Sequence, residues 1–179
     1  MKINKKSILV FVIVLIFSIG AMYNIMPKFR YYKSIDDAVV QDRFFRNTEY
    51  IGQLESNDVC KVLYNKKGDS VHSQYLIKDK TNWKLMDAQG LFTLKKSGLN
   101  STVNYYKIGG KHIISVDDLV AFGQTKEVHD SISSEFSYFE YAFPEQYGQT
   151  MTLVVWLVAF DELPENYSVT VDGETVALN

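Results

Sequence analysis

The chain has 179 residues, of which 46% are hydrophobic and 14% aromatic, and its formal net charge is −2. Three prolines and ten glycines argue against a low-complexity or disordered chain. The sequence shows no basic stripe or nucleic-acid-binding motif, so nucleic acid is excluded as a partner. The single cysteine excludes an intrachain disulfide.

The N-terminal segment combines basic residues with a long uncharged run. Three lysines fall within residues 1–6, and the twenty residues Ser7–Met26 contain no Asp, Glu, Lys or Arg. A helix of that length would reach roughly 30 Å, the hydrocarbon thickness of a bilayer. The sequence therefore predicts a cytoplasmic N-terminus at 1–6 and a single-pass transmembrane helix (a signal anchor) at 7–26, with the lipid bilayer as its partner. Cleavage before Ala21, as in a secretory signal peptide, is the alternative.

A juxtamembrane linker at 27–33 and an extracytoplasmic domain at 34–179 are predicted to follow. Ser34 can cap a helix whose first turn contains two aspartates, and two arginines with Asn47 suit its end. The pattern predicts a helix over 35–46. A glycine-containing break near 123–126 suggests two subdomains within this domain.

Short β-branched and aromatic segments separated by turn residues follow the helix, which is typical of an antiparallel meander. Turns are expected at Lys66–Asp69, at Asp79–Asn82, at Gly98 and at Gly109-Gly110. The predicted strands are Tyr50–Leu54, Val59–Tyr64, Val71–Ile77, Trp83–Met86, Leu91–Leu94, Val103–Ile108 and His112–Val116.

The last third contains the strongest strand signals. Met151–Phe160 has no charge over ten residues, which is too short for a membrane span and suits a central strand buried on both faces. Phe136–Phe143 is expected to be its neighbour. Asp172-Gly173 lies between two alternating runs and predicts a hairpin. Together these elements predict an α+β fold: a transmembrane helix, one short helix and a mainly antiparallel sheet, which two packed layers would accommodate.

Charge is unevenly distributed along the predicted outer domain. Ser34–Lys126 has 13 basic and 11 acidic residues, whereas Glu127–Asn179 has ten acidic residues and no Lys or Arg. The carboxylates are interpreted as solvated faces, with a cationic or divalent-ion partner as the alternative. The acidic loop after residue 160, with Asp161, Glu162 and Glu165, lacks the calcium-loop pattern.

The sequence contains no recognisable catalytic, cofactor or metal motif, and no site residue is assigned. The three histidines, His72, His112 and His129, lack metal-ligand spacing and are expected at strand edges. Cys60 lies in a predicted strand and is expected to be buried rather than reactive. Serines 131, 133 and 134 follow His129 and Asp130, but proximity in sequence is a poor guide to a catalytic triad.

Aromatic residues crowd the stretch from Phe136 to Tyr147, where six of them fall within twelve residues. Alternation along a strand would bury some of them and expose others. Core packing is the favoured interpretation, and an exposed contact surface of Tyr beside acidic residues is the alternative.

The chain has a basic and apolar start, then a helix, then a meander in which one strand carries WKLMD (Trp83–Asp87). This layout resembles that of small membrane-anchored exported proteins of Gram-positive bacteria. The resemblance is one of layout: it implies a surface-exposed, membrane-tethered domain, and it transfers no catalytic residue and no activity. The sequence thus predicts a non-enzymatic, membrane-tethered domain that binds or regulates an envelope protein or ligand. The alternatives are an envelope hydrolase or modifying enzyme assembled from scattered His, Asp/Glu and Ser residues, and a secreted protein.

Overall fold

Strands make up most of the fold. The computed structural model describes residues 12–19, 30–42, 45–65, 70–93, 102–143 and 151–178. The helices are α1, residues 12–19, and α2, Ile35–Gln41. The strands are β1 Tyr31–Tyr32, β2 Glu49–Ser56, β3 Val59–Asn65, β4 Ser70–Asp79, β5 Asn82–Thr93, β6 Thr102–Ile108, β7 Lys111–Ala121, β8 Val128–Asp130, β9 Ser137–Ala142, β10 Met151–Phe160, β11 Ser168–Val171 and β12 Glu174–Ala177. The described chain is mainly β, so β-sheet content is confirmed and the predicted α+β class is wrong.

The N-terminal helix is much shorter than predicted. Helix α1 covers eight residues, which rise about 12 Å along a helix axis, whereas a bilayer core is about 30 Å thick. Among the described residues, no helix is long and apolar enough to cross a membrane. The predictions of a transmembrane helix at 7–26 and of a single-pass membrane localisation are therefore wrong. Residues 1–11 and 20–29 lie outside the described residues, and so does the proposed cleavage point before Ala21.

Helix α2 begins as predicted. The Ser34 hydroxyl accepts a hydrogen bond from the Asp37 amide at 3.0 Å, and Asp36 and Asp37 occupy the first turn. A side-chain acceptor and negative charge at this end satisfy exposed amides and complement the helix dipole. The buried face of α2, Ile35 and Ala38, packs on the first sheet.

Helix α2 ends at Gln41, five residues before the predicted end. The next residue, Asp42, has an extended backbone and a fully buried side chain. Its carboxylate accepts hydrogen bonds from Arg30 Nη1 at 2.8 Å and from the Tyr32 hydroxyl at 2.5 Å. Because a buried carboxylate is stable only with such donors, Asp42 is held toward the preceding strand and the helix stops. Arg43, expected in the last turn, lies outside the described residues.

Sheet A has five antiparallel strands in the order β1-β5-β4-β3-β2. The two predicted strands Trp83–Met86 and Leu91–Leu94 are replaced by one long strand, β5, which pairs with β4 across an irregularity near Gln74. The β2–β3 hairpin turns at Asn57-Asp58, both with positive φ, a conformation that Asn and Asp tolerate. The expected turns at 66–69 and Gly98 lie outside the described residues.

Sheet B has four antiparallel strands in the order β6-β7-β10-β9. Its central strand, β10, pairs with β7 on one side and β9 on the other, and eight of its ten residues are buried. The prediction of a central strand at Met151–Phe160 with the aromatic segment as its neighbour is confirmed. The reversal at Gly109-Gly110 is also confirmed, since both glycines have positive φ between β6 and β7.

Sheet C is a small antiparallel sheet in the order β12-β11-β8. Its hairpin turns at Asp172 and Gly173, with φ of 48° and 86°, so the predicted Asp-Gly turn is confirmed. Residues 122–127 connect sheet B to sheet C, and the division of the domain near 123–126 stays a prediction.

The layers are stacked as helix α2, sheet A, sheet B and sheet C, rather than as two layers. Three apolar clusters fill the gaps: Trp83 and Leu85 lie under α2, Tyr75 and Leu157 lie between sheets A and B, and Tyr167 lies between sheets B and C. Sheet B is therefore covered on both faces, which explains the continuous apolar run of β10.

Candidate functional site

A cluster of polar side chains lies in the otherwise apolar gap between sheets A and B. Lys61 on β3 and Asp117 on β7 form an ion pair, with Nζ 2.5 Å from Oδ1. Lys61 Nζ also donates to the Ser115 hydroxyl at 2.6 Å, and that hydroxyl donates to Asp117 Oδ1 at 2.7 Å. Asn104 Nδ2 on β6 lies 3.4 Å from Asp117 Oδ2. We call Lys61, Asn104, Ser115 and Asp117 the core polar cluster.

Three members of the core polar cluster are closed to solvent, whereas Asn104, on the edge strand β6, is partly exposed. The side chains of Lys61 and Asp117 are 1% and 4% exposed, and Ser115 is fully buried. Burial lowers the pKa of Lys61, while the adjacent Asp117 carboxylate raises it, and the net pKa is lowered. Burial and then Asp117 raise the pKa of Tyr75, whose ring centroid lies 5.6 Å from the Lys61 ammonium. The short contact and the burial allow Lys61 and Asp117 to share a proton.

The contact of Ser115 with Lys61 does not make an open nucleophile site. The serine proton points to Asp117 and its oxygen accepts from Lys61, so both functions of the hydroxyl are engaged inside the cluster. A substrate would reach them only if the two sheets separated.

The two-residue spacing of Lys61, Ser115 and Asp117 from buried residues indicates this cluster, although it was not predicted. Lys61 alternates with Val59 and Leu63, both of which belong to the core between sheets A and B. Ser115 and Asp117 follow Ile113 at the same two-residue spacing on β7. A charged residue in register with buried residues on a strand indicates that it points into the core.

The three histidines lie on three different sheets. His72 on sheet A stacks on Tyr64, with ring centroids 5.4 Å apart. His112 on sheet B has its Nδ1 2.6 Å from the Tyr105 hydroxyl. His129 is exposed on sheet C, where it pairs with Thr170. The structure does not bring these imidazoles together.

Two other polar residues considered in the sequence, Asp130 and Asp161, have structural partners. Asp130 accepts hydrogen bonds from the amides of Ile132 and Ser134 and from the Tyr167 hydroxyl. Asp161 pairs with Lys111 at 2.7 Å, and this hydrogen bond lowers the pKa of its carboxyl group. Among the described residues, no group of three or more His, Cys, Asp or Glu side chains could hold a metal ion.

Cys60 is buried in β3, as predicted. Its side chain points away from the core polar cluster, into the gap under helix α2. Burial, and then the charge of Glu55, raise the pKa of the thiol. A protonated thiol without solvent contact is a poor nucleophile.

An exposed aromatic and acidic surface lies on residues 132–140, between sheets B and C. Ile132, Glu135, Tyr138 and Glu140 are exposed, and we call these four residues the Tyr138 surface. The Tyr138 ring is 51% exposed, yet it packs on Trp156 with ring centroids 5.2 Å apart. Its hydroxyl donates to Glu140 Oε2 at 2.9 Å, so the side chain is fixed at both ends.

The aromatic side chains of residues 138–143 point alternately to the two faces of sheet B, as expected for a strand. Phe139 and Tyr141 pack against the core between sheets A and B, and Phe143 belongs to it. Tyr138 points the opposite way, to the edge of the face that sheet C covers. Core packing is therefore confirmed for Phe139, Tyr141 and Phe143, and a contact surface at the exposed Tyr138 stays a prediction. Tyr147 lies outside the described residues.

The Tyr138 surface is strongly acidic. Residues 127–179 contain no Lys or Arg. In the described part of the chain, no cation lies within ion-pair distance of Glu135 or Glu140, whereas Asp161 and Asp172 pair with lysines of the first two thirds. The uncompensated charge is thus carried by surface glutamates.

Comparison with protein-family models, curated proteins and solved structures finds no match to this chain.

Proposed function

We propose that this chain is a non-enzymatic binding domain that recognises a basic polypeptide through the Tyr138 surface. The observation that carries the proposal is a half-exposed tyrosine that is already fixed by Trp156 and Glu140. A fixed aromatic side chain loses little conformational entropy on binding, which is why Tyr is common in binding hot spots.

Charge selects the class of partner. The exposed Glu140 carboxylate contacts the Tyr138 hydroxyl, the exposed Glu135 lies three positions before Tyr138 in the chain, and residues 127–179 contain no Lys or Arg. A lysine or arginine side chain can pair with such carboxylates and stack on the ring face. Each contact is weak at an exposed site, about 0.2–1 kcal/mol, so several must act together.

The rest of the described chain supports a binding role rather than catalysis. The Lys61–Asp117 pair is buried, the histidines lie on separate sheets, and Asp130 accepts hydrogen bonds from its own loop and from Tyr167. The sheets then serve as a rigid support for an exposed surface.

Titration with basic peptides tests the proposal. Oligolysine and oligoarginine peptides, each with and without interspersed leucine, are added to the full chain while tryptophan fluorescence is recorded. Trp156 lies under Tyr138, and a Trp83→Phe background removes the signal from the other tryptophan. We expect saturable binding that weakens with added salt, because screening shortens the range of exposed charges. Oligoglutamate is the matched control; basic peptides that bind no better than oligoglutamate would contradict the proposal.

A further inference from the structure

The core polar cluster places an amine against a carboxyl group in a water-excluded pocket. Lys61 Nζ lies 2.5 Å from Asp117 Oδ1, and both side chains are at least nine-tenths buried. The surrounding side chains are mainly apolar or aromatic, including Val59, Leu63 and Tyr75. The two groups belong to different sheets, 56 positions apart in the chain.

A buried ion pair can exchange a proton and become a neutral pair. Removing two charges from water is costly, and the attraction between them often no more than offsets that cost. Transfer of one proton from Nζ to the carboxylate across the 2.5 Å contact gives a neutral amine and a carboxylic acid. These are the two reactants of amide formation, held at a fixed position by the packing of two sheets.

We propose that Lys61 and Asp117 form an intramolecular amide bond that links β3 of sheet A to β7 of sheet B. The Nζ lone pair attacks Cγ of the protonated Asp117, and a new C–N bond forms. One carboxyl C–O bond then breaks. The oxygen leaves with two protons, one from the acid and one from the amine, as a water molecule. No oxidant, reductant or other reactant is needed.

Ser115 is placed to carry the proton between the two reacting groups. Its oxygen lies 2.6 Å from Nζ and 2.7 Å from Oδ1, so it can accept the amine proton and donate its own to the leaving oxygen. Asn104 Nδ2 faces the other oxygen, Oδ2, and donates to it as negative charge develops. Ser115 and Asn104 thus have separate roles on the two oxygens of one carboxyl group.

Two features of the chain favour the linked state. Hydrolysis of the amide needs water, and the side chains of Lys61 and Asp117 are only 1% and 4% exposed. The chain has one cysteine, so no intrachain disulfide can join the sheets. An amide between residues 61 and 117 would restrict the unfolded chain as a disulfide does.

Mass spectrometry of the full chain under denaturing conditions tests the proposal. We expect an intact mass lower than the sequence mass by one water molecule. Trypsin does not cleave after an acylated lysine, so the digest should contain the peptide 47–66 joined to the peptide 112–126. An intact mass equal to the sequence mass, with separate peptides 47–61 and 62–66, would overturn the proposal.

Variants test whether the water molecule is lost from Lys61 and Asp117. Lys61→Met and Asp117→Ala should each restore the full sequence mass, and a variant that still lacks one water would show loss elsewhere and overturn the proposal. Ser115→Ala should leave a larger unlinked fraction in freshly purified protein. If a variant does not fold, the intact mass of the unaltered chain alone still decides the question.

Discussion

The ring of Phe139 on β9 occupies the space that a side chain at Gly52 on β2 would need. A Cβ atom built at Gly52 would collide with Cε2 and Cζ of that ring. Phe139 is itself packed against the core between sheets A and B. The missing side chain at position 52 therefore allows the edges of the two sheets to approach each other, which positions the segment carrying the Tyr138 surface.

Gly52→Ala is expected to destabilise the fold by about 1–2 kcal/mol. Overpacking a core contact costs about 1–3 kcal/mol, while alanine in a strand gains back about 0.5–1 kcal/mol relative to glycine. Urea denaturation followed by fluorescence measures the change. Phe139→Leu should relieve the collision, so the double variant should be more stable than the sum of the two single effects predicts.

Lys126 is expected to stabilise the contact between sheets B and C. Its ammonium lies 3.2 Å from Asp118, which is 2% exposed, and 2.5 Å from Asp172 at the Asp-Gly turn. Lys126→Met leaves the buried Asp118 carboxylate without this cation, which should lower the free energy of unfolding. Because Lys126 is one quarter exposed and solvent screens its charge, we expect a decrease of about 1–3 kcal/mol. Asp172→Asn changes the exposed partner alone and should have a clearly smaller effect in the same urea titration. Equal losses would contradict this account.

Asp130 is expected to make stability fall in acid. Burial raises the pKa of its carboxyl group, but hydrogen bonds from Ser134, Tyr167 and Ile132 outweigh burial, and the net pKa lies below its ordinary value of 3.8. A carboxyl group with a lowered folded-state pKa stabilises the fold above its unfolded pKa. That contribution is lost as the pH falls through the folded pKa.

Asp130→Asn should therefore reduce stability at pH 7 and reduce the further loss as the pH falls below the ordinary carboxyl pKa of about 4. Chemical denaturation at a series of pH values measures both effects. Glu135→Gln, which changes an exposed neighbouring carboxylate, is the control for the loss of one negative charge. An Asp130→Asn profile parallel to that of the unaltered chain would show that the loop hydrogen bonds do not depend on this charge.

The Cys60 thiol is expected to react only when the protein unfolds. It has no solvent exposure, and burial raises its pKa, so the thiolate is absent near neutral pH. Modification by a chromogenic disulfide reagent should be about a thousandfold or more slower than in urea-unfolded protein. Rapid modification of the native chain would show that the gap under helix α2 opens locally.

Strand β10 was predictable because its signal is local. A ten-residue uncharged run bounded by polar residues suits a strand buried on both faces, and the Asp172-Gly173 turn depends on residue types that tolerate positive φ. Helix ends were less predictable. Buried contacts of Asp42 with Arg30 and Tyr32 stop α2 early, and an uncharged run at 7–26 does not determine where α1 begins or ends.

The candidate sites depend on contacts between distant parts of the chain. Lys61 and Asp117 meet because sheets A and B stack face to face, which no local pattern specifies. The acidic character of the last third was predicted from composition. The position of Tyr138 on Trp156 required the register between β9 and β10.

The most direct test of the binding proposal compares two tyrosines with nearly equal exposure. Tyr138 is 51% exposed on the Tyr138 surface, and Tyr50 is 48% exposed on sheet A, where its hydroxyl contacts Gln53. Affinity for a basic peptide is measured calorimetrically for Tyr138→Ser and Tyr50→Ser, after both variants are shown to be folded. We predict that Tyr138→Ser weakens binding about tenfold or more, whereas Tyr50→Ser leaves the affinity within about twofold. Equal affinities for the two variants would contradict the account.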